Sequence, residues 1–295
     1  MTPVPLAELN AMDKARFVAA LGAIYENSPW VVEAVSAQRP FANLAALHEA
    51  MSLAVQKASD ANKRALIDAH PDLAGKAARA GTMTADSERE QSGAGLDRLN
   101  QADVDALQRL NGAYREKFGF PFIICVRRHS KDSILRQFEL RLRNDGARER
   151  DTALGEIVRI VALRLDQQVS AADRLKVHGR LSTHVLDTYS GRPAAGVGFE
   201  LHELSSTGEG RLVAQGTTNA EGRTDAPLIG GRPIPIGNYE LRFAIGAYFS
   251  GSGATLTEPP FLDVVPLRFG IAEPEGHYHV PLVATPWSYS TYRGS

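Results

Sequence analysis

The sequence contains very little cysteine, no long apolar run and almost no net charge. Cys125 is the single cysteine among 295 residues, which excludes a disulfide framework within the chain and favours a reducing compartment. No uncharged apolar stretch approaches the roughly 18 residues that a membrane span requires. The first residues lack the basic and apolar regions of a secretory signal. We therefore expect a soluble, cytoplasmic protein with no membrane partner.

The composition otherwise indicates an ordinary globular protein. The formal net charge is -1, which gives no reason to expect nucleic acid as a partner. Hydrophobic residues make up 43% and charged residues 23% of the chain, as in typical soluble domains. A chain of 295 residues is long for one domain and comfortable for two.

The spacing of apolar residues changes about half-way along the chain. In the first half, apolar residues recur every three or four positions, which predicts helices in DKARFVAALGAIYE, FANLAALHEAMSLAV, DVDALQRLNGAYREKFG and ARERDTALGEIVRIVALRLDQQV. In the second half, turn signals separate short β-forming runs, which predicts strands in STHVLDT, VGFELHEL, RLVAQGTT, NYELRFAIGAYF, FLDVVPLRFGI and HYHVPLVAT. We predict an all-α domain over residues 1–167, a linker over 168–178 and an all-β sandwich or barrel over 179–295.

Two features of the helical half could carry chemistry. His70 precedes Pro71, where a helix should end, and the stretch SEREQSGAG contains Glu90. Both features also have a simple structural interpretation. His70 could cap a helix end, and Thr84 or Asp86 could cap the next helix ahead of an acidic first turn.

Arg164 has an unusual position in the last predicted helix. At roughly 100° per residue, it falls about 80° from Leu154, the centre of the apolar stripe, whereas Arg159 falls on the solvated face. A guanidinium beside the core needs an anionic partner. That partner could be a substrate group or a structural carboxylate.

The β half contains three histidines of interest. His277 and His279 lie two residues apart, so they share one face of a predicted strand. Together with His184 they could supply three ligands of an open zinc site. The spacing alone is weak evidence for such a site, and each histidine alone could be a partly buried structural residue.

The end of the chain keeps a strand-like alternation where chain ends usually fray. STHVLDTYSGRPAAGV, TTNAEGRTDAPL and the terminal HYHVPLVATPWSYSTYRGS resemble the transthyretin-related 5-hydroxyisourate hydrolases over about residues 178–295. The resemblance implies a transthyretin-like β-sandwich, a homotetramer and active sites at a dimer interface. It also implies a site without metal, in which His277 has no part. The catalytic residues that it implies are His184, Arg223, His279 and Ser295, and Tyr292 and Arg293 are implied to bind substrate.

Elementary chemistry agrees with this assignment. Water that opens a cyclic amide needs a base active near neutrality, which a histidine supplies. The oxyanion that forms on the attacked carbonyl needs a positive neighbour, and Arg223 suits that role. The terminal segment is then expected to form a wall of the pocket. Hormone-carrying transthyretins lack these histidines and this tail, which argues against a carrier function.

The helical half carries a second resemblance. IYENSPW, AHPDLAGK, SEREQSGAGL, FGFPFIIC and ALRL occur in the order typical of the 2-oxo-4-hydroxy-4-carboxy-5-ureidoimidazoline (OHCU) decarboxylases, over about residues 5–167. The resemblance implies a helical fold that needs no cofactor, with His70 and Glu90 as catalytic residues. Cys125 is interpreted as a packed residue rather than a nucleophile. The residues implied to bind substrate are Pro71, Ser87, Gln91, Phe122, Ile123, Ile124 and Arg164.

The two families catalyse consecutive steps after urate oxidation. The sequence therefore predicts a bifunctional enzyme that hydrolyses 5-hydroxyisourate to OHCU and decarboxylates OHCU to (S)-allantoin. The alternative is a transthyretin-like small-molecule binding or scaffold protein in which only one half is active. Which group donates the proton during decarboxylation does not follow from the sequence.

Overall fold

The structure, a computed structural model, describes residues 2–74, 84–93, 96 and 99–294. The chain divides into two compact units. One comprises residues 1–127 and 133–177, and the other comprises residues 128–132 and 178–295. Throughout the described ranges, every helix is too short or too polar to span a bilayer.

The first unit is helical. Short 3₁₀ turns at Gly22–Tyr25, Ser36–Gln38 and Val126–Arg128 interrupt the helices. The described helices are α1 (Leu6–Ala11), α2 (Lys14–Leu21), α3 (Trp30–Val35), α4 (Leu44–Lys57), α5 (Asp60–Asp68), α6 (Ala85–Gly93), α7 (Gln101–Phe118), α8 (Lys131–Arg141) and α9 (Gly146–Gln168).

Polar caps fix where these helices begin. The first N–H groups of a helix have no partner within the helix, so a side-chain oxygen just before it stabilises the start. Six of the described helices begin in this way. The capping side chains are Asp13, Asn43, Ser59, Thr84, Asn100 and Asp145.

Helix α9 lies in the core of this unit. Ile157, Val161 and Leu165 are buried along one stripe, as the spacing predicts. Residues 168–177, which make up all but the last residue of the predicted linker, belong to the same unit. In that stretch Val169 and Val177 join the helical core, and the short strand β2 (Val169–Ser170) pairs in parallel with β1 (Val4–Pro5).

The second unit is a sandwich of two sheets. One sheet has the order β11-β10-β3-β4, with β7 also paired to β3, and the other has the order β6-β5-β8-β9. The all-α plus all-β fold class is therefore confirmed. The strands are β3 (Gly179–Asp187), β4 (Arg192–Pro193), β5 (Gly198–Leu204), β6 (Gly210–Thr217), β7 (Ile229–Arg232), β8 (Gly237–Ala244), β9 (Val264–Ile271), β10 (His277–Ala284) and β11 (Tyr289–Thr291).

One predicted strand ends early. Within NYELRFAIGAYF, strand β8 stops at Ala244 and a short helix, α10 (Ile245–Gly251), follows. Ile245 and Phe249 are four residues apart and both are buried, so the helical period brings both side chains into the sandwich core. The short run of β-forming residues gave no sign of this change of period.

Candidate active sites

The predicted decarboxylase residues come from four parts of the helical unit. His70 and Pro71 follow α5, the polar residues lie on α6, the apolar residues lie in the extended stretch after α7, and Arg164 lies on α9. The structure brings all of them to one small cavity of about 30 Å³. The predicted residues that line it are His70, Pro71, Ser87, Glu90, Gln91, Phe122, Ile123, Ile124 and Arg164.

Arg164 is the most heavily bonded group at this cavity. Its side chain is 2% exposed, and its Nε and Nη2 donate to the two carboxylate oxygens of Glu90 at 2.9 and 2.8 Å. Nη2 also donates to Ser87 Oγ at 3.2 Å. Nη1 donates to Ile24 O at 3.1 Å and to Glu26 Oε2 at 2.9 Å. All five N–H groups of the guanidinium are thus used.

Glu26 is a functional candidate that the sequence reasoning missed. Its carboxylate is 1% exposed and accepts hydrogen bonds from Thr84 Oγ1 at 2.7 Å and from Ser87 Oγ at 2.9 Å, in addition to Arg164. The pKa of Glu26 is lowered: burial opposes the shift, and Arg164 together with the Thr84 hydroxyl outweighs it. The available signal was the acidic residue within the family motif IYENSPW.

His70 is a neutral imidazole at neutral pH. Its ring is 6% exposed, and Nδ1 lies 2.9 Å from the Leu66 carbonyl oxygen, which can only accept. Burial is the main cause that lowers the pKa of His70 to about 4. Arg164 lowers this pKa further, while the bond to Leu66 and the charge of Glu26 oppose the shift. Since Nδ1 carries the proton, Nε2 of the neutral ring is left as an acceptor.

Buried ionic groups hold the extended stretch that lines the cavity. Arg141 Nη1 donates to Ile123 O at 2.7 Å, and Arg141 is itself paired with Glu149. The backbone N–H of Cys125 donates to Glu156 at 2.8 Å. Cys125 is packed in the apolar core, in keeping with its interpretation as a packed residue.

Two of the predicted hydrolase residues, His184 and His279, lie on one face of the β11-β10-β3-β4 sheet. His184 is on β3 and His279 is on the neighbouring parallel strand β10. Their ring centroids are 6.5 Å apart. Both strands alternate buried and partly exposed residues, and the two histidines fall on the face that points away from the sandwich core. His277 lies on the same face and is exposed.

Arg223 lies beside both imidazoles. A single β-bridge joins Arg223 to His184. Burial is the main cause that lowers the pKa of His184, and the Arg223 charge is the next. The pKa of His279 is lowered by burial, then by Arg223, by the other histidines and by Arg180. Both rings therefore favour the neutral form, which can take a proton from water.

Glycines bring the backbone close to the two histidines. Gly222 has a φ of +70°, and a Cβ there would lie 3.2 Å from His184 Cδ2 and 2.3 Å from Val185 O. Gly294 forms a β-bridge with His279, and a Cβ on it would lie 2.9 Å from His279 Cδ2. Ser182 Oγ and His279 Nδ1 are 3.0 Å apart.

The chain end reaches the site through Gly294. Strand β11 stops at Thr291, and Tyr292 is largely exposed. The Arg293 guanidinium lies over the Tyr278 ring, 4.6 Å from its centroid. Tyr278 points into the sandwich core, on the opposite face of β10 from His279. Ser295 lies outside the described residues.

Metal ligation was the competing interpretation of the three histidines. Within the described ranges, no group of three or more His, Cys, Asp or Glu side chains could hold a metal ion.

In comparisons with known proteins, each unit matches a different family. Residues 10–166 match the OHCU decarboxylase family, and residues 181–294 match the HIUase/transthyretin family. A 5-hydroxyisourate hydrolase of Deinococcus radiodurans is 56% identical over 119 residues, covering 40% of this chain and 98% of that protein. An OHCU decarboxylase of Halalkalicoccus jeotgali is 42% identical over 167 residues, covering 57% of this chain and 93% of that protein.

One solved structure spans both units. A crystal structure of (S)-allantoin synthase aligns with 99% of this chain and 100% of its own length, at 36% identity and a TM-score of 0.52. That protein is thus similar to this chain across both halves.

Proposed function

Because the chain belongs to the OHCU decarboxylase family through residues 10–166 and to the HIUase/transthyretin family through residues 181–294, we propose that it is a bifunctional enzyme of urate degradation. The sandwich unit hydrolyses 5-hydroxyisourate to OHCU, and the helical unit decarboxylates OHCU to (S)-allantoin. The observation that carries this proposal is the convergence of nine predicted residues, from four separate parts of the helical unit, on the cavity around Arg164.

In the hydrolase step, a neutral imidazole of His184 or His279 takes a proton from water. The resulting hydroxide attacks the carbonyl of the cyclic amide, and Arg223 stabilises the oxyanion that forms. The C–N bond then breaks, and the leaving nitrogen takes the proton back. We propose that Ser295, Tyr292 and Arg293 complete the pocket at the chain end. The bridge between Gly294 and His279 supports this position of the tail, and Arg293 has to leave the Tyr278 ring to take part.

In the decarboxylase step, a C–C bond breaks, carbon dioxide leaves, and the electron pair stays on the substrate carbon. A proton must then reach that carbon from one face if the product is to be chiral. His70 lines the cavity and its Nε2 can accept a proton and hand it on. A cavity of about 30 Å³ has room for little more than one water. Substrate therefore binds only after the cavity opens.

Arg164 contacts substrate in this scheme. Its Nε and Nη2 form the edge that now holds Glu90, the same two-pronged geometry that would hold a substrate carboxylate. Binding in this way requires Glu90 to give up one or both of its bonds to Arg164.

We further propose a homotetramer built through the sandwich unit, in the cytoplasm. Strands β9 and β11 each end a sheet, and sheet edges readily pair with a second copy. Exposed aromatic side chains at Tyr189, Trp287 and Tyr289 favour association. The domain limits 1–167 and 179–295, with a linker between them, belong to the same proposal.

The test is a coupled assay on the full chain. Freshly made 5-hydroxyisourate is supplied, its loss is followed by ultraviolet absorbance, and product chirality is followed by circular dichroism. We expect rapid loss of 5-hydroxyisourate together with the circular dichroism signal of (S)-allantoin. Slow racemic product at the rate of the buffer alone would overturn the decarboxylase assignment. Unchanged 5-hydroxyisourate lifetime would favour the binding or scaffold alternative.

A further inference from the structure

Glu26 has no role in the decarboxylation scheme above, yet it is the more deeply buried of the two carboxylates that bond to Arg164. It does not line the cavity, whereas Arg164, Ser87 and Glu90 do. Glu26 instead accepts hydrogen bonds from two of these lining residues, at Arg164 Nη1 and Ser87 Oγ. The hydrogen bonds of Glu26 can therefore act on substrate only through Arg164 and Ser87.

The backbone at Glu26 supports a role beyond packing. Glu26 and Asn27 have φ values of +32° and +50°, a region that residues with a side chain adopt at a cost of about 1 kcal/mol or more each. Such a conformation persists only where the surroundings demand it. Here this conformation places the Glu26 carboxylate against Nη1 of the buried Arg164 guanidinium.

We propose that Glu26 is the positioning residue of the decarboxylase site, which holds Arg164 while Glu90 is exchanged for the substrate. This inference rests on the proposed decarboxylase function. A buried guanidinium that loses its only counter-ion is strongly destabilised. Because Glu26 keeps its bond to Nη1, the Nε and Nη2 edge can change partners without leaving Arg164 unpaired.

Glu26 also acts on His70 through space. The charged groups around the His70 ring are Glu26 and Arg164, with Glu90 on the same cavity. Asp72, two residues along the chain, is paired with Arg115. The negative charge of Glu26 favours the protonated imidazole, so its removal lowers the pKa of His70 further.

The test compares Glu26→Gln with Glu26→Asp in the full chain. The Gln side chain keeps the shape and removes the charge, whereas Asp keeps the charge and shortens the reach. For Glu26→Gln we expect kcat for OHCU decarboxylation to fall roughly 10–100-fold, the scale of a misplaced binding group, with no rise in KM. The acid limb of the pH profile should move to lower pH. For Glu26→Asp we expect a reduced kcat and an unmoved acid limb.

Asp166→Asn is the matched control. Asp166 is also a buried carboxylate that is paired with an arginine, Arg174, and it lies on α9 two residues from Arg164. This control should keep the wild-type decarboxylase profile. Hydrolysis of 5-hydroxyisourate by every variant reports on the rest of the chain, and far-ultraviolet circular dichroism reports on the helices.

Each outcome is decisive. Wild-type kcat and acid limb in Glu26→Gln would overturn the inference, as would equal losses in both variants with unmoved acid limbs, which would show packing alone. If Glu26→Gln fails to fold, Glu26→Asp decides, and wild-type kcat in that variant would overturn the inference. If wild-type protein itself forms no (S)-allantoin from OHCU, the proposed function fails instead.

Discussion

The decarboxylase site keeps its charged groups inside the helical unit, whereas the hydrolase site carries its charged groups on an open sheet face. Arg164 has two carboxylate partners, and all of its donors are used. Arg223 and Arg180 lie near the hydrolase histidines, where cationic charge lowers the pKa of His279. The first site is closed by its own ion pairs, and the second is open to solvent or to a second copy.

This difference follows from what each environment permits. A buried charge must be paired within the protein, so the decarboxylase site can bind an anion only by exchange with one of its own carboxylates. An exposed cationic face needs no such exchange and can attract an anionic substrate directly. The two sites should therefore respond differently to mutation, pH and salt.

The largest effect should come from the chain end. Deleting residues 292–295 removes Gly294 and its bridge to His279. We expect the hydrolysis rate to fall to that of buffer alone, with decarboxylation unchanged. A C-terminal extension should also damage hydrolysis if the terminus is enclosed. Both are measured by 5-hydroxyisourate turnover. Full turnover in an extended protein would leave the tail with a packing role alone.

His70→Asn is the counterpart in the helical unit. Asn keeps a polar side chain and removes the imidazole, so the rate of (S)-allantoin formation from OHCU should fall roughly 10²–10⁴-fold, the scale of general acid–base catalysis. Hydrolysis should stay near normal. Product chirality, followed by circular dichroism, separates enzymatic from spontaneous decay. Intact decarboxylation in this variant would contradict the role assigned to His70.

A smaller effect is expected from Gly294→Ala. The added Cβ would lie 2.9 Å from His279 Cδ2, so the ring or the tail must move, and hydrolysis should drop about 10-fold or more. Gly155→Ala is the matched control, because nothing lies within 4 Å of a Cβ there. On a helix that change should raise stability by up to about 1 kcal/mol. Equal hydrolysis by both variants would dismiss the steric argument.

Both sites could be predicted from sequence to the extent that they lie in short contiguous motifs. His70 with Pro71, and Glu90 with Gln91, come to one cavity, as the resemblance implies. The argument that Arg164 needs an anionic partner also holds, since burial makes that demand regardless of fold. The all-α and all-β halves followed from the change in apolar period.

The missing parts depend on contacts between distant residues. Glu26 meets Arg164 across 138 positions, and nothing in its local sequence marks that pairing. The helix Ile245–Gly251 depends on how its apolar residues reach the sandwich core. Likewise, the need for glycine at 222 and 294 arises only when these backbones meet the histidines of other strands.

Replacing Arg180 should give a modest effect on the open site only. Arg180 is one of the charges that lower the pKa of His279, so Arg180→Gln should raise that pKa and move the acid limb of hydrolysis to higher pH. Because Arg180 is exposed, salt near 1 M should weaken the difference. The decarboxylase profile should not move. A pH–rate profile of hydrolysis at two salt concentrations measures this. Identical acid limbs for wild type and Arg180→Gln at low salt would show that Arg180 does not affect the pKa of His279.

Prolonged chelation should have the smallest effect, namely none on either activity. His184 and His279 could in principle bind zinc, but Arg223 lies beside both rings and lowers the pKa of each. The same positive charge that disfavours a proton on these rings disfavours a divalent cation between them. Full-length protein is dialysed against chelator and assayed for both reactions, with a known zinc hydrolase treated in parallel as the positive control. Hydrolysis that is lost on chelation and restored by zinc would reverse the assignment of the two imidazoles, from bases acting on water to ligands of a metal.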